Sequence, residues 1–434
     1  MSRILFFILS LFCLYVQGQQ TLTVDEAIAS ALKKNYDILL VKNDAESYAI
    51  DNQYANAAFL PQVAGTTSHI WNKNNQQQNF TDGRKRKADV SSGNLAAAVN
   101  LNWTLFDGLK MFATRSRLAA LQTLGELTVK TQVVNSIAAV IKNYYNIVRQ
   151  KQQLKAIEEL ISINEERVKL ADKKLSVGLG SKPELLQAKV DLNAQLAERL
   201  LQETLILQLK EQLNQLAGIL SPSEYEVLDS IPINLNIEYA SISSDIENAS
   251  PSLLVAKKNI DIANLGLKER KAELWPSLSF NSGYNFGRLS NGSVVNPEFQ
   301  PIFSLNRGFN YGVSASVPIL NGFNTRRQIK QATLDIQYQT LSYNNQKSLV
   351  DVNVNNAYKD YQYQKKALAL EEENIALAKE NVFIALARFR QGVSTYLELR
   401  EAQISLEDAY NRLIAARYNT KVAETELFRL KGNL

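Results

Sequence analysis

The sequence predicts a mainly helical protein with a small β part, in which one structural unit occurs twice. Three observations support this prediction. Motifs recur at a common offset of 214 residues, and two long stretches without proline, 109–177 and 323–391, place apolar residues three and four apart. Shorter segments alternate apolar and polar residues, as half-buried strands do. We therefore expect a tandem duplication in which long helices are joined to a few strands.

The first 18 residues predict a secretory signal peptide. Arg3 precedes an apolar run that is too short for a comfortable transmembrane helix, and small residues precede a cleavage site after Gly18. Cleavage there removes Cys13, the only cysteine, so the exported product has no disulfide. A single histidine, His69, and a net charge of +5 argue against a Cys/His zinc site and against nucleic-acid binding. We expect no enzyme activity, no metal and no cofactor.

The mature chain is expected to divide into two repeats. The first covers residues 19–217, an inter-repeat linker covers 218–250, and the second repeat covers 251–434. A capping box at Thr23 and Glu26 opens the first repeat with a short amphipathic helix. Each repeat is then expected to run helix, strand, strand, long helix, helix. The linker, rich in proline and acidic residues, is expected to be partly ordered.

The first helix of each repeat, 36–59 and 252–274, is expected to stop before Pro61 and Pro276, because a residue that precedes proline disfavours helix. Two strands of 10–12 residues follow, and the strand after Pro61 has the weaker pattern. The basic run Arg84 to Lys87 is placed in the polar loop between the first two strands. Period-two alternation is clearest in three sets of apolar positions: Leu95, Ala97, Val99, Leu101, Trp103 and Leu105; Leu278, Phe280, Tyr284 and Phe286; and Phe309, Tyr311, Val313, Ala315, Val317 and Ile319.

Each second strand is expected to pass into a long helix at an acidic or amide residue followed by glycine, at Asp107-Gly108 and Asn321-Gly322. The long helix carries a coiled-coil-like seam, and at about 1.5 Å per residue it would measure roughly 100 Å. A glycine turn then leads into a second helix, 182–217 or 395–431. The two shorter helices of a repeat, placed end to end, can run antiparallel along the long one.

Four such strands leave an apolar face and two open sheet edges without a partner. In an exported protein, membrane lipid would cover the apolar face, because alternating strands of this kind are typical of outer-membrane barrels. Four strands cannot close a barrel, so several chains must contribute to it. Two chains would give eight strands with a filled interior, and three would give twelve strands and room for a channel.

Several motifs in register resemble the TolC family of outer-membrane efflux and secretion channels, from about residue 20 to the C-terminus. The resemblance rests on the X-Pro helix stops and on the segments Leu22-Thr23-Val24-Asp25-Glu26-Ala27-Ile28, Leu105-Phe106-Asp107-Gly108, Val177-Gly178-Leu179-Gly180-Ser181 and Pro318-Ile319-Leu320-Asn321-Gly322. It implies a homotrimer in the outer membrane, with a twelve-stranded barrel continued by a helical tunnel in the periplasm. It also implies contact with outer-membrane lipid, a periplasmic membrane-fusion adaptor and an inner-membrane transporter. The implied function is passive export in a tripartite efflux or type I secretion system.

The resemblance also implies functional residues. Glu398 and Glu401, three residues apart on one helix face, are expected to narrow the periplasmic entrance; Glu184 and Gln187 are their counterparts, and Arg400 could pair with either acid. The turns are expected to dock the adaptor through Val177, Gly178, Leu179, Ser181, Gly392, Val393 and Thr395. Strand–helix junctions are expected at Pro61, Asp107, Gly108, Pro276, Asn321 and Gly322.

Two other functions compete with this interpretation. A periplasmic coiled-coil adaptor or scaffold would account for the helices but not for the four alternating strands. A periplasmic hydrolase would need converging carboxylates, and the acidic residues instead follow the helical seams.

Overall fold

The computed structural model describes residues 21–219, 225–296 and 298–434, so the predicted signal peptide lies outside the described residues. The chain forms two compact units. The helical unit comprises the described residues of Met1–Ala45, Gly125–Ala256 and Tyr343–Leu434, and the strand unit comprises Glu46–Leu124 and Lys257–Ser342. Each unit combines segments from both predicted repeats, and the repeat boundaries stay a prediction from the sequence.

The elements follow the expected order, and the mainly helical fold class with a small β part is confirmed. They are β1 (Thr21–Leu22), α1 (Val24–Lys34), α2 (Tyr36–Gln53), β2 (Gln62–Asn79), β3 (Lys85–Phe106), α3 (Lys110–Ser176), α4 (Lys182–Ala217), β4 (Glu226–Val227), α5 (Tyr239–Ser243), α6 (Ile246–Ala249), α7 (Pro251–Ala272), β5 (Ser277–Ser293), β6 (Phe303–Ser316), α8 (Asn324–Arg390) and α9 (Tyr396–Lys431). Helices α3 and α8 have 67 residues each, and α4 and α9 have 36 each. Helix α2 ends earlier than expected, because Ala55–Phe59 forms a 3₁₀ helix before Pro61.

The apolar seam of α3 forms much of the core of the helical unit. Many apolar residues at this spacing are buried, among them Ile137, Val140, Tyr144, Ile147, Ile157, Ile161 and Ala171. Spacings of three and four keep these side chains on one side of the helix. Two polar residues, Lys151 and Asn164, interrupt the apolar seam. Asn164 is also buried, whereas Lys151 turns toward the linker.

The shorter helices meet end to end, as expected. The side chain of Asn35, between α1 and α2, donates to the carbonyl of Leu216 at 2.9 Å and accepts from the backbone N–H of Ile38. Gly218 ends α4 in the left-handed conformation, where a Cβ would lie 2.4 Å from the Cβ of Lys34. At the other C-terminus, a Cβ added at Gly432 would lie 2.6 Å from Cδ of Pro251 at the start of α7.

The described part of the linker contains strand β4 and the short helices α5 and α6. Strand β4 pairs in parallel with β1, and Glu226 in β4 forms ion pairs with Lys151 at 2.9 Å and Lys210 at 3.2 Å. Farther along, the hydroxyl of Tyr361 donates to the carbonyl of Asn234 at 2.8 Å. These contacts fasten the linker to α3, α4 and α8.

The strand unit contains one antiparallel sheet in the order β2-β3-β5-β6. The strands are longer than the predicted 10–12 residues, reaching 18 in β2 and 22 in β3. The alternation revealed only the segment with apolar side chains, whereas the backbone ladder continues through polar residues. For the same reason, β2 is a full partner of β3 despite its weak pattern.

The predicted basic loop is wrong. Lys85 to Lys87 are the first residues of β3 and pair with Gln77 to Asn79, and only Arg84 lies in the turn, where it pairs with Asp82 at 2.7 Å. The hairpin turn spans only Phe80 to Arg84. A short turn leaves the flanking polar residues free to extend the ladder.

The two faces of the sheet differ in chemistry. One face carries the alternating apolar residues, and several large side chains on it are exposed: Tyr284, Phe309, Tyr311 and Val313. On the same face His69 packs against Trp71, with ring centroids 3.9 Å apart. The other face carries asparagine, serine and glycine, and its amides are bonded across strands, as in Asn281 to Ser314 and Asn285 to Asn310. In the described part of the chain, no helix combines the length and the apolar character needed to span a membrane.

Candidate functional site at the two helix turns

The first turn joins α3 to α4. Gly178 has φ +75°, and the backbone N–H groups of Leu179 and Gly180 donate to the carbonyl of Lys174 at 2.8 and 2.9 Å. Ser181 then caps α4 and forms a capping box with Glu184. Two apolar side chains of the turn point into solvent, Val177 at 67% and Leu179 at 83% exposure.

The second turn joins α8 to α9 and is built in the same way. Gly392 also has φ +75°, and the N–H of Val393 donates to the carbonyl of Arg388 at 3.0 Å. Thr395 is the N-cap, since its hydroxyl accepts from the N–H of Glu398 at 3.3 Å. Thr395, and not the neighbouring Ser394, is therefore the residue that caps α9.

The two turns lie at the same end of the helical unit. The ammonium of Lys174, at the end of α3, donates to the carbonyl of Phe389 at 2.9 Å and lies 3.6 Å from the centre of its ring. An apolar cluster beneath them contains Ala188, Phe389, Tyr396 and Leu399. Both turns are therefore held on one packed base.

The four residues predicted to line the entrance all lie in the first two turns of α4 and α9. Glu184 and Glu398 occupy equivalent capping positions, and Glu398 also lies 3.8 Å from Arg388. Glu401 is exposed and forms no ion pair with any residue that the structure describes. Gln187 donates to the carboxylate of Asp191 at 2.8 Å.

Asp191 belongs to a buried polar network that the sequence did not reveal. The side chain of Arg167, on α3, is 1% exposed, and it donates to Asp191 on α4 and to Gln403 on α9, each at 2.6 Å. The hydroxyl of Tyr396 donates to Asp191 at 2.9 Å, and its ring centre lies 5.1 Å from the Arg167 guanidinium. The network thus connects three helices directly below the second turn.

The environment of Asp191 favours its ionised form. Burial acts to raise the pKa of this carboxyl, but hydrogen bonds from Gln187 and Tyr396 and the charge of Arg167 hold the pKa below its ordinary value. The sequence did not predict this network, because Asp191 and Gln403 lie 24 and 236 residues from Arg167 along the chain.

Among the described residues, the structure shows Arg400 paired with neither Glu398 nor Glu401. Its guanidinium lies 3.5 Å from Asp191 instead. Asp191 is less exposed than Glu398 and Glu401 and already forms an ion pair with Arg167. Arg400 therefore adds a second positive charge to this network. Glu398 and Glu401 are left without neutralisation by Arg400.

The predicted junction residues lie where strands and helices meet in the strand unit. Asp107 accepts from the N–H of Met111 at 3.0 Å, and Gly108 has φ +74°, with an added Cβ placed 2.3 Å from the carbonyl of Ala272. The amide of Asn321 donates to Thr325 at 2.6 Å, and Gly322 has φ +63°. Pro61 and Pro276 stand directly before β2 and β5.

The described residues contain no group of histidine, cysteine and carboxylate side chains that could hold a metal ion. The residues at the turns are instead caps, exposed apolar groups and surface carboxylates. This arrangement can bind another helix end or attract cations.

Comparison with known proteins agrees with these features. The family model described as outer membrane efflux protein matches residues 27–219 and 242–433. The chain is 24% identical over 395 residues to the outer membrane protein TolC of Vibrio cholerae, covering 87% of this chain and 83% of that protein. It is 21% identical over 428 residues to the cation efflux system protein CusC of Escherichia coli K12, covering 96% and 88%.

Solved structures show the same fold. CusC superposes with a TM-score of 0.79 at 18% identity, covering 98% of this chain and 96% of that chain. The outer-membrane channel OprN superposes with a TM-score of 0.79 at 17% identity, covering 95% and 90%. The expected function as an efflux channel of the outer membrane is confirmed, and an adaptor or scaffold is not favoured. The chain belongs to the outer membrane efflux protein family.

Proposed function

We propose that three copies of this chain form a passive duct that exports solutes received from an inner-membrane transporter through a periplasmic adaptor. The observation that carries the proposal is the sheet of the strand unit. The outer edges of strands β2 and β6 have no strand partner among the residues that the structure describes, and one face of the sheet exposes large apolar side chains. Exposed edges and apolar faces of this size require covering.

Pairing of β2 with β6 of another copy would satisfy both edges. Lipid would cover the apolar face, and the asparagine, serine and glycine face would line an aqueous interior. Three chains supply twelve strands, enough for an open interior.

Chemical crosslinking tests the barrel. Cysteines introduced at Thr67 in β2 and Phe309 in β6 should be joined between copies by a short bismaleimide, which gives covalent trimers. A matched pair at Ala97, in the inner strand β3, and Phe309 should give far less crosslinked trimer. Monomers only from the first pair would contradict a barrel closed through β2 and β6.

The turns are proposed to provide the entrance and the docking surface. The exposed side chains of Val177, Leu179 and Val393 offer apolar contacts for a helical hairpin of the adaptor. Above the packed base, Glu398 and Glu401 of three chains would place six carboxylates around the opening, attracting cations and resisting closure by mutual repulsion.

Planar-bilayer recordings test the entrance. The E398Q/E401Q variant should lose much of its cation selectivity, because the six charges are removed from the narrowest point. The control E373Q/E380Q removes two exposed acids from α8 and should behave like the unmodified channel. Unchanged conductance and selectivity in E398Q/E401Q would overturn this assignment without affecting the barrel.

Docking is tested in cells that carry the cognate pump. Gly178 and Gly392 sit in open space with positive φ, so replacing both with valine strains the turns. Export should be lost while trimers still form in the outer membrane. Full export in this variant would argue against docking at the turns.

A further inference from the structure

An arginine–aromatic patch lies on the apolar face of the sheet, formed by Phe286, Arg288, Phe303, Leu305 and Arg307. The register pairs Phe286 with Arg307 and Arg288 with Leu305. The two arginines are therefore diagonal neighbours on one face, about 7–8 Å apart at the backbone. Two guanidinium groups at this spacing can reach a single anionic group from both sides.

Each guanidinium is placed over an aromatic ring. The Arg288 guanidinium lies 5.6 Å from the ring centre of Phe303, and that of Arg307 lies 5.6 Å from the ring centre of Phe286. A cation–π contact of this kind restrains the guanidinium and still allows its N–H donors to bind an anion. Both arginines are exposed to solvent in the single chain.

Among the described residues, no carboxylate neutralises these two charges. The four strands of the sheet contain one acidic residue, Asp89 in β3, whose carboxylate accepts from the amide of Asn75 at 2.6 Å. Neither Arg288 nor Arg307 forms an ion pair with any residue that the structure describes. A neighbouring copy paired through its β2 would add none, because Gln62–Asn79 has no aspartate or glutamate.

The patch lies at the margin of the apolar band. Arg288 comes ten residues after Leu278, the first apolar residue of β5 on this face, a distance of about 33 Å along the strand. A tilt of about 35–45° reduces this to roughly 25 Å, the height of the apolar band of an outer-membrane barrel. The patch lies on the side of this band that is nearer the β2–β3 hairpin turn, since Arg288 pairs with Leu95 and the ladder of β2 and β3 continues beyond it to the turn. In a barrel, this margin would be the level where lipid headgroups begin.

We propose that Arg288 and Arg307 bind the phosphate group of an anionic membrane lipid in the leaflet next to the hairpin turns. An arginine on a lipid-facing surface is disfavoured unless it is paired, and phosphate offers the paired oxygens that guanidinium binds best. This proposal rests on the proposed function, because it requires the apolar face to contact lipid. The apolar members of the patch would lie against the acyl chains of the same lipid.

Native mass spectrometry of the full-length trimer tests the proposal, with diphosphoryl lipid A as the probe and its fully dephosphorylated form as the comparison. The trimer should retain the phosphorylated probe, and R288Q/R307Q should bind it at least about tenfold more weakly. R288K/R307K keeps the charge and should lose less. R326Q is the matched control, because Arg326 lies 5.6 Å from the Phe323 ring outside the sheet, and it should leave binding unchanged.

The outcomes separate the two proposals. Equal retention of the probe by the unmodified trimer and R288Q/R307Q, or equal binding of the dephosphorylated form, would overturn the lipid site alone. Competition by inorganic phosphate at the affinity of the lipid probe would assign the site to free anions and overturn it too. If the chain associates with neither liposomes nor detergent micelles, both the membrane duct and the lipid site are overturned.

Discussion

Replacing Asp191 with asparagine should destabilise the base beneath the two turns. The substitution keeps the size of the side chain but removes the counter-charge of Arg167, whose side chain is 1% exposed. Breaking a buried ion pair from one side costs about 3–5 kcal/mol, because an uncompensated charge stays buried. Gln403 still accepts from Arg167 at 2.6 Å, so we expect the lower end, about 3 kcal/mol.

The assay is chemical unfolding of the helical unit, followed by circular dichroism, together with hydrogen exchange of backbone amides in residues 391–403. Exchange should accelerate there more than in the distant α1. Glu203→Gln is the matched control, because the exposed pair Arg199–Glu203, at 3.5 Å, should be worth less than about 1 kcal/mol.

A double variant and a pH series distinguish a charge effect from a packing effect. Arg167→Met combined with Asp191→Leu removes both charges and should recover most of the lost stability. The pKa of Asp191 is lowered in the folded state, so its stabilising effect is present above the unfolded value and is lost as pH falls through the folded value. Asp191→Asn should lack this acid dependence. A loss no larger than that of the control, or a double variant as unstable as the single one, would refute the reasoning.

Three further predictions concern other parts of the chain. A hydrogen bond from Arg429 lowers the pKa of Glu426 to about 2 against the effect of burial, so the stability of the folded chain should fall between about pH 4.5 and pH 2. Glu426→Gln should remove this pH dependence and should lower the free energy of unfolding at neutral pH by about 3 kcal/mol, as measured by urea unfolding. Gly108→Ala should destabilise the strand unit by at least about 2 kcal/mol more than Gly178→Ala destabilises the helical unit. Both glycines have positive φ, but only a Cβ at position 108 would meet a backbone carbonyl. Equal shifts of the thermal unfolding temperature in the two variants would contradict this reasoning. Thr395→Ala should cost about 1 kcal/mol through loss of the α9 cap, with faster exchange of the Glu398 amide as the readout.

Sequence patterns predicted features that depend on neighbours along the chain. The capping box at Thr23 forms as expected, with the Glu26 carboxylate accepting from the Thr23 N–H at 2.9 Å, because all its atoms come from one helical turn. The long helices begin and end within a residue or two of their predicted limits, where Gly108 and Gly178 interrupt the helical pattern. The predicted roles of Glu398 and Glu401 at an entrance stay predictions.

Some expectations failed where backbone pairing overrides side-chain character. The residues around Lys85 looked like a loop because they are polar, yet a β ladder requires only backbone N–H and C=O groups. In the same way, the polar half of β2 extends the strand far beyond its apolar positions.

The sequence by itself determined the fold class, the order of the elements and the family, because periodicity, glycine turns and X-Pro stops are local and occur in both halves. Only the tertiary structure decided which charges meet. Arg400 selects Asp191 over two nearer acids in sequence, and Arg167 joins three helices through residues up to 236 positions away. Such partners are chosen by burial and by distance across packed helices, and neither is written in the spacing of residues along the chain.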